Sequence, residues 1–343
     1  MGYIAVLITI SVIFSSGFLL PIAAYGQLRY LPHTRPEENG ASNSAISNTT
    51  YSRQNTTTNK VVIINFDDDH QSDYTYAKPI LDKYGFKATF FAVCRWIGAK
   101  DWQNIEALEK DGMDIQAHTM THPNLNKLNE AQLSYEIGQS KQCLLNHGIN
   151  STIFAYPYGY GSNNATVVNI VSRYYDLART NSYYGFTRTN TDDFPLAFLQ
   201  CGANKSHLQP DCRSYSDDAT LTFANRYSLN SWSHIHIEGN YSNSGQCTGV
   251  CHFYNNSKML ERFITAVNSQ NTYNKDGIIR AIPIIVYHGL VTYPDVAYSK
   301  TPVETTVSLF DTEMRYLHDN GFKVLTLSEL GYDENNNSLY IKK

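Results

Sequence analysis

The chain has 343 residues, 42% hydrophobic and 17% charged, which is enough apolar content for a core and too much for a disordered chain. Length alone suggests about two domains. A net charge of −4 offers no basic field for nucleic acid or an anionic membrane, and 26 Tyr in an Asn-rich, Lys-poor chain tilt it towards an extracellular protein handling polar ligands such as sugars.

Residues 3–24 (YIAVLITISVIFSSGFLLPIAA) carry no charge, Pro21 breaks the run, and Ala24-Tyr25-Gly26 resembles a cleavage site. A positive leading region is missing, and the run is also long enough to cross a bilayer. Residues 1–26 are therefore expected to be a signal peptide or an uncleaved membrane anchor, with the protein secreted or held at the cell surface. Residues 27–59 are rich in Ser, Thr, Asn and Pro without an apolar period and read as a disordered linker. N-x-S/T triplets at Asn48, Asn55, Asn150, Asn164, Asn204, Asn240, Asn255 and Asn336 permit glycosylation.

From Lys60 onwards short apolar runs alternate with helix-like stretches. The expected strands are Val61–Phe66, Ala88–Cys94, Met113–Ala117, Thr152–Tyr156, Asp176–Ala178, Ala281–Tyr287 and Lys323–Leu327. The expected helices are Tyr74–Tyr84, Gln103–Asp111, Glu130–His147, Ala165–Tyr175, Lys258–Asn268 and Val307–Asn320. Continuous apolar strands separated by helices indicate a parallel sheet buried on both faces, and one barrel over residues 60–343 suits the length better than two domains.

A stretch of about 185–250 breaks the pattern and reads as a loop-rich insertion. Within it, Leu229–Ile237 is expected to be a strand carrying His234 and His236 on one face, as structural or surface histidines. Among the six cysteines, Cys201, Cys212, Cys247 and Cys251 lie in this irregular stretch, where disulfide stapling is expected; the Cys247-x-x-x-Cys251-His252 spacing suits neither zinc nor haem well. Cys94 and Cys143 lie in apolar settings and read as free buried thiols.

Polar residues follow each strand: Asp67, Asp68 and Asp69, then Arg95, His118, Pro157-Tyr158, Arg179 and His288. In a parallel barrel the carboxyl ends of the strands meet at one face, so these groups are expected to converge. Asn65-Phe66-Asp67-Asp68, His118-Thr119-Met120-Thr121-His122-Pro123, Tyr156-Pro157-Tyr158-Gly159 and Val286-Tyr287-His288 occur in that order. Together, over about Lys60 to Leu330, they resemble the polysaccharide deacetylase family, the NodB-homology domain of carbohydrate esterase family 4. The fold this implies is a deformed (β/α) barrel of the α/β class.

One carboxylate and two imidazoles can hold a divalent metal with one position open, and two histidines four residues apart can share a helical turn. The resemblance implies Asp68, His118 and His122 as ligands and Asp67 as the uncoordinated general base. It further implies the Tyr158 backbone N–H as oxyanion donor, His288 as acid to the leaving amine, and Val286 lining the acetyl pocket. Tyr156 and Trp232 are expected to contact substrate. Zinc is the default for this donor set, with cobalt, nickel and manganese open. The implied reaction is metal-assisted removal of acetyl groups, N-acetyl before O-acetyl, from an extracellular or envelope glycan.

Three departures from the family pattern stand out. Ala155 occupies the position of its arginine, so Arg179, or in reserve Arg95, is expected to hold Asp67. Asp69 replaces a glycine. The D-x-x-D-W motif that tunes the acid histidine is missing, with Asn230-Ser231-Trp232 the nearest candidate. These losses keep open a second reading, a catalytically impaired carbohydrate-binding or envelope protein on the same fold. An amidase acting on a small non-sugar substrate suits an exported chain less well.

Overall fold

Strand β1 (Val61–Asp67) is buried along its whole length, as a strand covered on both faces must be. The structure, a computed structural model, describes residues 59–181, 195–199, 226–241, 247–298, 301–335 and 338–343. The signal or anchor segment, most of the linker, and Cys201 and Cys212 lie outside the described residues. No helix among those described is long and apolar enough to cross a membrane.

Seven further strands complete the main sheet: β2 (Thr89–Ala92), β3 (Asp114–Ala117), β4 (Ile153–Ala155), β5 (Leu177–Arg179), β6 (Trp232–Ser233), β7 (Ile284–Tyr287) and β8 (Lys323–Leu325). The order is β5-β4-β3-β2-β1-β7-β6, every pairing is parallel, and β8 pairs with the first three residues of β1. Helices α1 (Lys78–Tyr84), α2 (Trp102–Lys110), α3 (Glu130–Asn146), α4 (Ala165–Val171), α5 (Asn256–Asn268) and α6 (Val307–Asp319) fall where the apolar periodicity predicts them. The ring closes through residues 226–233. Leu229 bridges Arg179 at the far edge, Ala178 and Thr180 donate to the carbonyls of Arg226 and Leu229, and β6 pairs with β7. The sheet is thus a deformed barrel with helices packed outside it.

Alternation along β1 sorts its side chains into two layers. Val62, Ile64 and Phe66 face the helices, where Phe66 stacks on Phe90 at 4.9 Å and meets Phe310 edge-on at 5.5 Å. Val61 and Ile63 face inward, with Ile153, Leu177, Ile284 and Leu325. By the same parity Asn65 and Asp67 point into the barrel, so Asp67 caps its inner layer at the carboxyl end.

Three expectations are corrected. Cys94 and Cys143 are not free thiols: they form a disulfide, because the end of β2 packs on α3 with the two Cα atoms 6.5 Å apart. Leu229–Ile237 is not one strand, since the chain turns after Ser233, where Ile235 N–H donates back to the Ser233 carbonyl. The insertion also holds regular pairing: Ala197–Phe198 with Ala281–Ile282, and Ile237–Tyr241 with Cys247–Phe253, both antiparallel.

Candidate active site

The turns after β1, β3 and β4 bring their polar residues together, and they do so with unusual backbone. Asp68, Asp69, Thr119, His122 and Tyr158 all have φ between 53° and 78°, and only one other described non-glycine residue, Asp276, shares this conformation. Left-handed backbone in non-glycine residues costs energy and clusters where side chains must be aimed.

His118 and His122 do not share a helical turn, contrary to expectation. They lie in a loop, where the Thr119 hydroxyl accepts from His122 N–H at 2.8 Å and turns the second ring back beside the first. Buried Glu136 on α3 holds the same loop, accepting from the N–H groups of Met120 and Thr121 and from the Thr121 hydroxyl. Sequence reasoning missed Glu136, which looks like any other glutamate on a helix; its buried position within an otherwise amphipathic pattern was the available signal.

His118 Nε2 and His122 Nε2 lie 3.6 and 3.4 Å from Asp68 Oδ1. Ligands about 2.1 Å from a tetrahedral ion sit about 3.4 Å from one another, so these three atoms suit a divalent metal. Two further observations agree. Asp68 Oδ1 is buried without a hydrogen-bond partner. His118 Nδ1 lies 2.8 Å from the Ala155 carbonyl, which accepts its proton and leaves Nε2 unprotonated towards Asp68. The backbone of Ala155, at the position of the missing arginine, thus orients a candidate ligand. Burial, reinforced by the neighbouring His118, brings the His122 imidazole down to about 3, while burial and then Asp67 push the Asp68 carboxyl up to about 7.

Asp67 stands apart from this set. Arg179, fully buried, donates from Nη2 to both Asp67 oxygens at 2.6 and 2.7 Å, with its guanidinium over the Phe91 ring. Burial alone would raise the Asp67 carboxyl; Arg179, His118 and His288 outweigh it and hold the group below its usual value. Arg95, the reserve candidate, instead reaches the Tyr135 hydroxyl at 3.3 Å.

His288 Nε2 lies 4.0 Å from Asp68 Oδ2, and burial brings its imidazole down to about 4, against the pull of Asp67. Tyr158, 52% exposed, sets its ring edge against His122 at 4.5 Å. The next residue must be glycine: at φ 73°, a Cβ on Gly159 would stand 2.7 Å from the Asn181 carbonyl oxygen. Val286 is buried in the inner layer, in register with Asn65 and Ser233. Tyr156 and Trp232 are corrections, because both are core side chains with almost no exposed surface. Tyr156 packs on Phe154, and Trp232 on His234, where no glycan reaches them. His234 is structural, bonded to Glu313 and Thr305 at 2.8 Å each, and His236 is likewise buried.

Fold and site together define a class: a parallel barrel whose carboxyl rim carries an Asp-His-His cluster with a separate, arginine-held carboxylate beside it. Residues 54–175 match the family model described as polysaccharide deacetylase. Asp67, Asp68, His118, His122 and Tyr158 lie within the matched segment, whereas Arg179 and His288 lie beyond it.

The chain is 36% identical to YxkH of Bacillus subtilis over 104 residues, 29% of this chain and 37% of that one. It is 33% identical over 116 residues to a poly-beta-1,6-N-acetyl-D-glucosamine N-deacetylase of Staphylococcus epidermidis, 29% of this chain and 40% of that one. The chain therefore spans less than half the length of these relatives. Among solved structures, it is similar to the Xyl-CE4 domain of a xylanase from the hindgut metagenome of Trinervitermes trinervoides, with TM-score 0.44 and 15% identity over 79% of this chain and 88% of that one. It is also similar to the Streptococcus pyogenes deacetylase PplD, with TM-score 0.34 and 31% identity over 35% and 55%.

Proposed function

We propose that this protein hydrolyses acetyl groups, N-acetyl amides foremost, on an extracellular or cell-envelope polysaccharide. The observation that carries this reading is the Arg179–Asp67 contact beside Asp68, His118 and His122: a carboxylate kept ionised, and kept out of the donor set, within reach of it. Asp68, His118 and His122 would hold a divalent metal, zinc by default. When bound, such an ion acidifies water and polarises the acetyl carbonyl.

In this reading Asp67 takes the proton of the attacking water, and Arg179 keeps its carboxylate charged and aimed. The Tyr158 backbone N–H donates to the developing oxyanion, and Val286 lines the acetyl methyl pocket. His288 rests neutral at pH 7, so it becomes a donor only after gaining a proton. The proton abstracted from water is the one the departing amine needs, and His288 relays it.

The main reason to favour an impaired, purely carbohydrate-binding protein is the alanine at position 155, and Arg179 against Asp67 weakens it. Residues 1–26 would export the protein, and residues 3–24 could keep it at the membrane. Acetate release from a panel of acetylated glycans, with and without a chelator, tests the proposal. Release that survives chelation sinks the metal-assisted mechanism, and no release from any glycan sinks the activity.

A further inference from the structure

Between the candidate ligands His118 and His122 lie only Thr119, Met120 and Thr121, and this short segment is held from two sides. On one side the chain beyond β2 runs along it: Cys94 N–H donates to the Thr119 carbonyl at 3.3 Å, and Arg95 N–H to that of Met120 at 2.9 Å. On the other side stands α3, whose buried Glu136 accepts from Met120 N–H, Thr121 N–H and the Thr121 hydroxyl. Neither arm supplies a candidate ligand atom; together they set where the two imidazoles stand.

The Cys94–Cys143 disulfide ties these two arms to each other. Cys94 belongs to the first arm. Cys143 lies about two turns beyond Glu136 on α3, so Glu136, Ser140 and Cys143 share one face of the helix. Cys94 Sγ also stands 3.7 Å from the Ser140 carbonyl oxygen. The Cys94 side chain packs in the helix-side layer, so the bond sits behind the loop, away from the donor atoms. Both histidines fall within the segment that the bond closes.

Helix α3 keeps Leu133, Ile137 and Leu144 in the core, so opening the bond is expected to leave the fold in place. What it releases is the spacing between the arms. Glu136 and the extension of β2 then no longer hold the loop at one width, and outer partners of this kind are worth about 10–100-fold in metal affinity. Cys143 is only half-buried, which suits attack by a small thiol such as glutathione. Two glutathione thiols become one disulfide, and the S–S bond takes up two electrons and two protons to give two chain thiols. A reducing compartment favours that exchange and an oxidising one opposes it.

We infer that the Cys94–Cys143 disulfide is a redox latch on the metal centre: the His118–His122 loop binds its ion tightly only when the bond is closed. The inference rests on the proposed deacetylation and its metal centre.

The test competes the full apo chain against a chromogenic chelator for zinc, with oxidised wild type beside Cys94→Ser/Cys143→Ser. The variant is expected to bind zinc at least tenfold more weakly at a temperature where both chains are folded. A loss under threefold overturns the latch, because a bond that only stabilises the fold shifts the melting temperature and leaves this affinity alone. In a Glu136→Ala background the same pair of changes is expected to cost less than threefold, since the arm they act through is already cut. An undiminished loss there overturns the latch as well.

Should the variant not fold, the wild type gives an independent reading. By linkage, saturating zinc must protect the bond by the factor that the bond adds to affinity. The ratio [GSH]²/[GSSG] at which half of Cys94–Cys143 is reduced, read by mass spectrometry of the linked peptides, is expected to rise at least tenfold with zinc. No shift overturns the latch, and oxidised wild type that binds no zinc overturns it together with the metal centre. Acetate release is measured separately. Chelator-sensitive release with equal zinc affinities removes the latch alone, and a tenfold affinity difference without release from any glycan removes the deacetylase reading alone.

Discussion

At the scale of single residues, two adjacent aspartates do opposite work because their surroundings differ. Asp68 gathers the imidazoles of His118 and His122; Asp67 is held by Arg179. Elemental analysis of loaded protein is expected to show metal lost from His118→Ala and His122→Ala and kept in Asp67→Asn, while Asp67→Asn turnover falls by about 10²–10⁴-fold. Metal lost from Asp67→Asn instead would exchange the roles of the two aspartates.

Arg179 has a pH signature. As the proposed base, Asp67 must be ionised, so activity is expected to fall as pH drops through its pKa, which Arg179 helps to hold below the usual carboxylate value. Removing the guanidinium raises that pKa. The acidic limb of the Arg179→Ala rate profile is therefore expected at higher pH than in the wild type, with metal content retained. An unmoved limb would make Arg179 a purely structural neighbour.

At the scale of elements, what was legible is the strand end. Val61–Phe66, Met113–Ala117 and Asp176–Ala178 are apolar runs closed abruptly by Asp, His and Arg, and a parallel sheet puts all such ends on one rim. What was not legible depends on partners distant in sequence. Nothing around Cys94 or Cys143 indicates that β2 and α3 bring them within bonding reach. Nothing in His118–His122 indicates left-handed backbone, because neither Thr119 nor His122 is a glycine.

Glu136 belongs to the same category. It contributes no donor atom to the cluster, yet three hydrogen bonds from Met120 and Thr121 end on it. Glu136→Ala is expected to lower metal affinity about 10–100-fold, the range found when outer partners of ligands are removed. Competition with a chromogenic chelator measures it, and unchanged affinity would reduce Glu136 to a packing role.

At the scale of the whole molecule, the parallel barrel sheet was readable from strand–helix alternation, but its closure was not. The closing segment, 226–233, has only two residues in a regular strand, so periodicity is too short to reveal it. Closure is secured behind β6 by a buried network: His234 Nε2–H donates to Glu313 Oε1, and the Tyr287 hydroxyl donates to Glu313 Oε2. Leaving a buried polar group without its hydrogen-bond partner costs about 1–3 kcal/mol. Glu313→Ala is expected to lose that much in denaturant melts, and a loss below about 1 kcal/mol would contradict the role given to the network.

The bridge between Arg179 and Leu229 has a consequence for the order in which the molecule comes apart. The backbone of Arg179 forms the seam of the ring while its side chain restrains Asp67, so one residue ties architecture to chemistry. A seam made of one bridge and a two-residue strand is a weak line in a ring of paired strands, and local opening starts where buried contacts are few. Under gentle denaturation, amide protons at Thr180 and Leu229 should exchange before those of β1 to β3. Catalysis should fade with them, while most of the helical signal persists. The turnover rate would then act as a strain gauge on the seam, reporting the first opening of the barrel well before the protein unfolds.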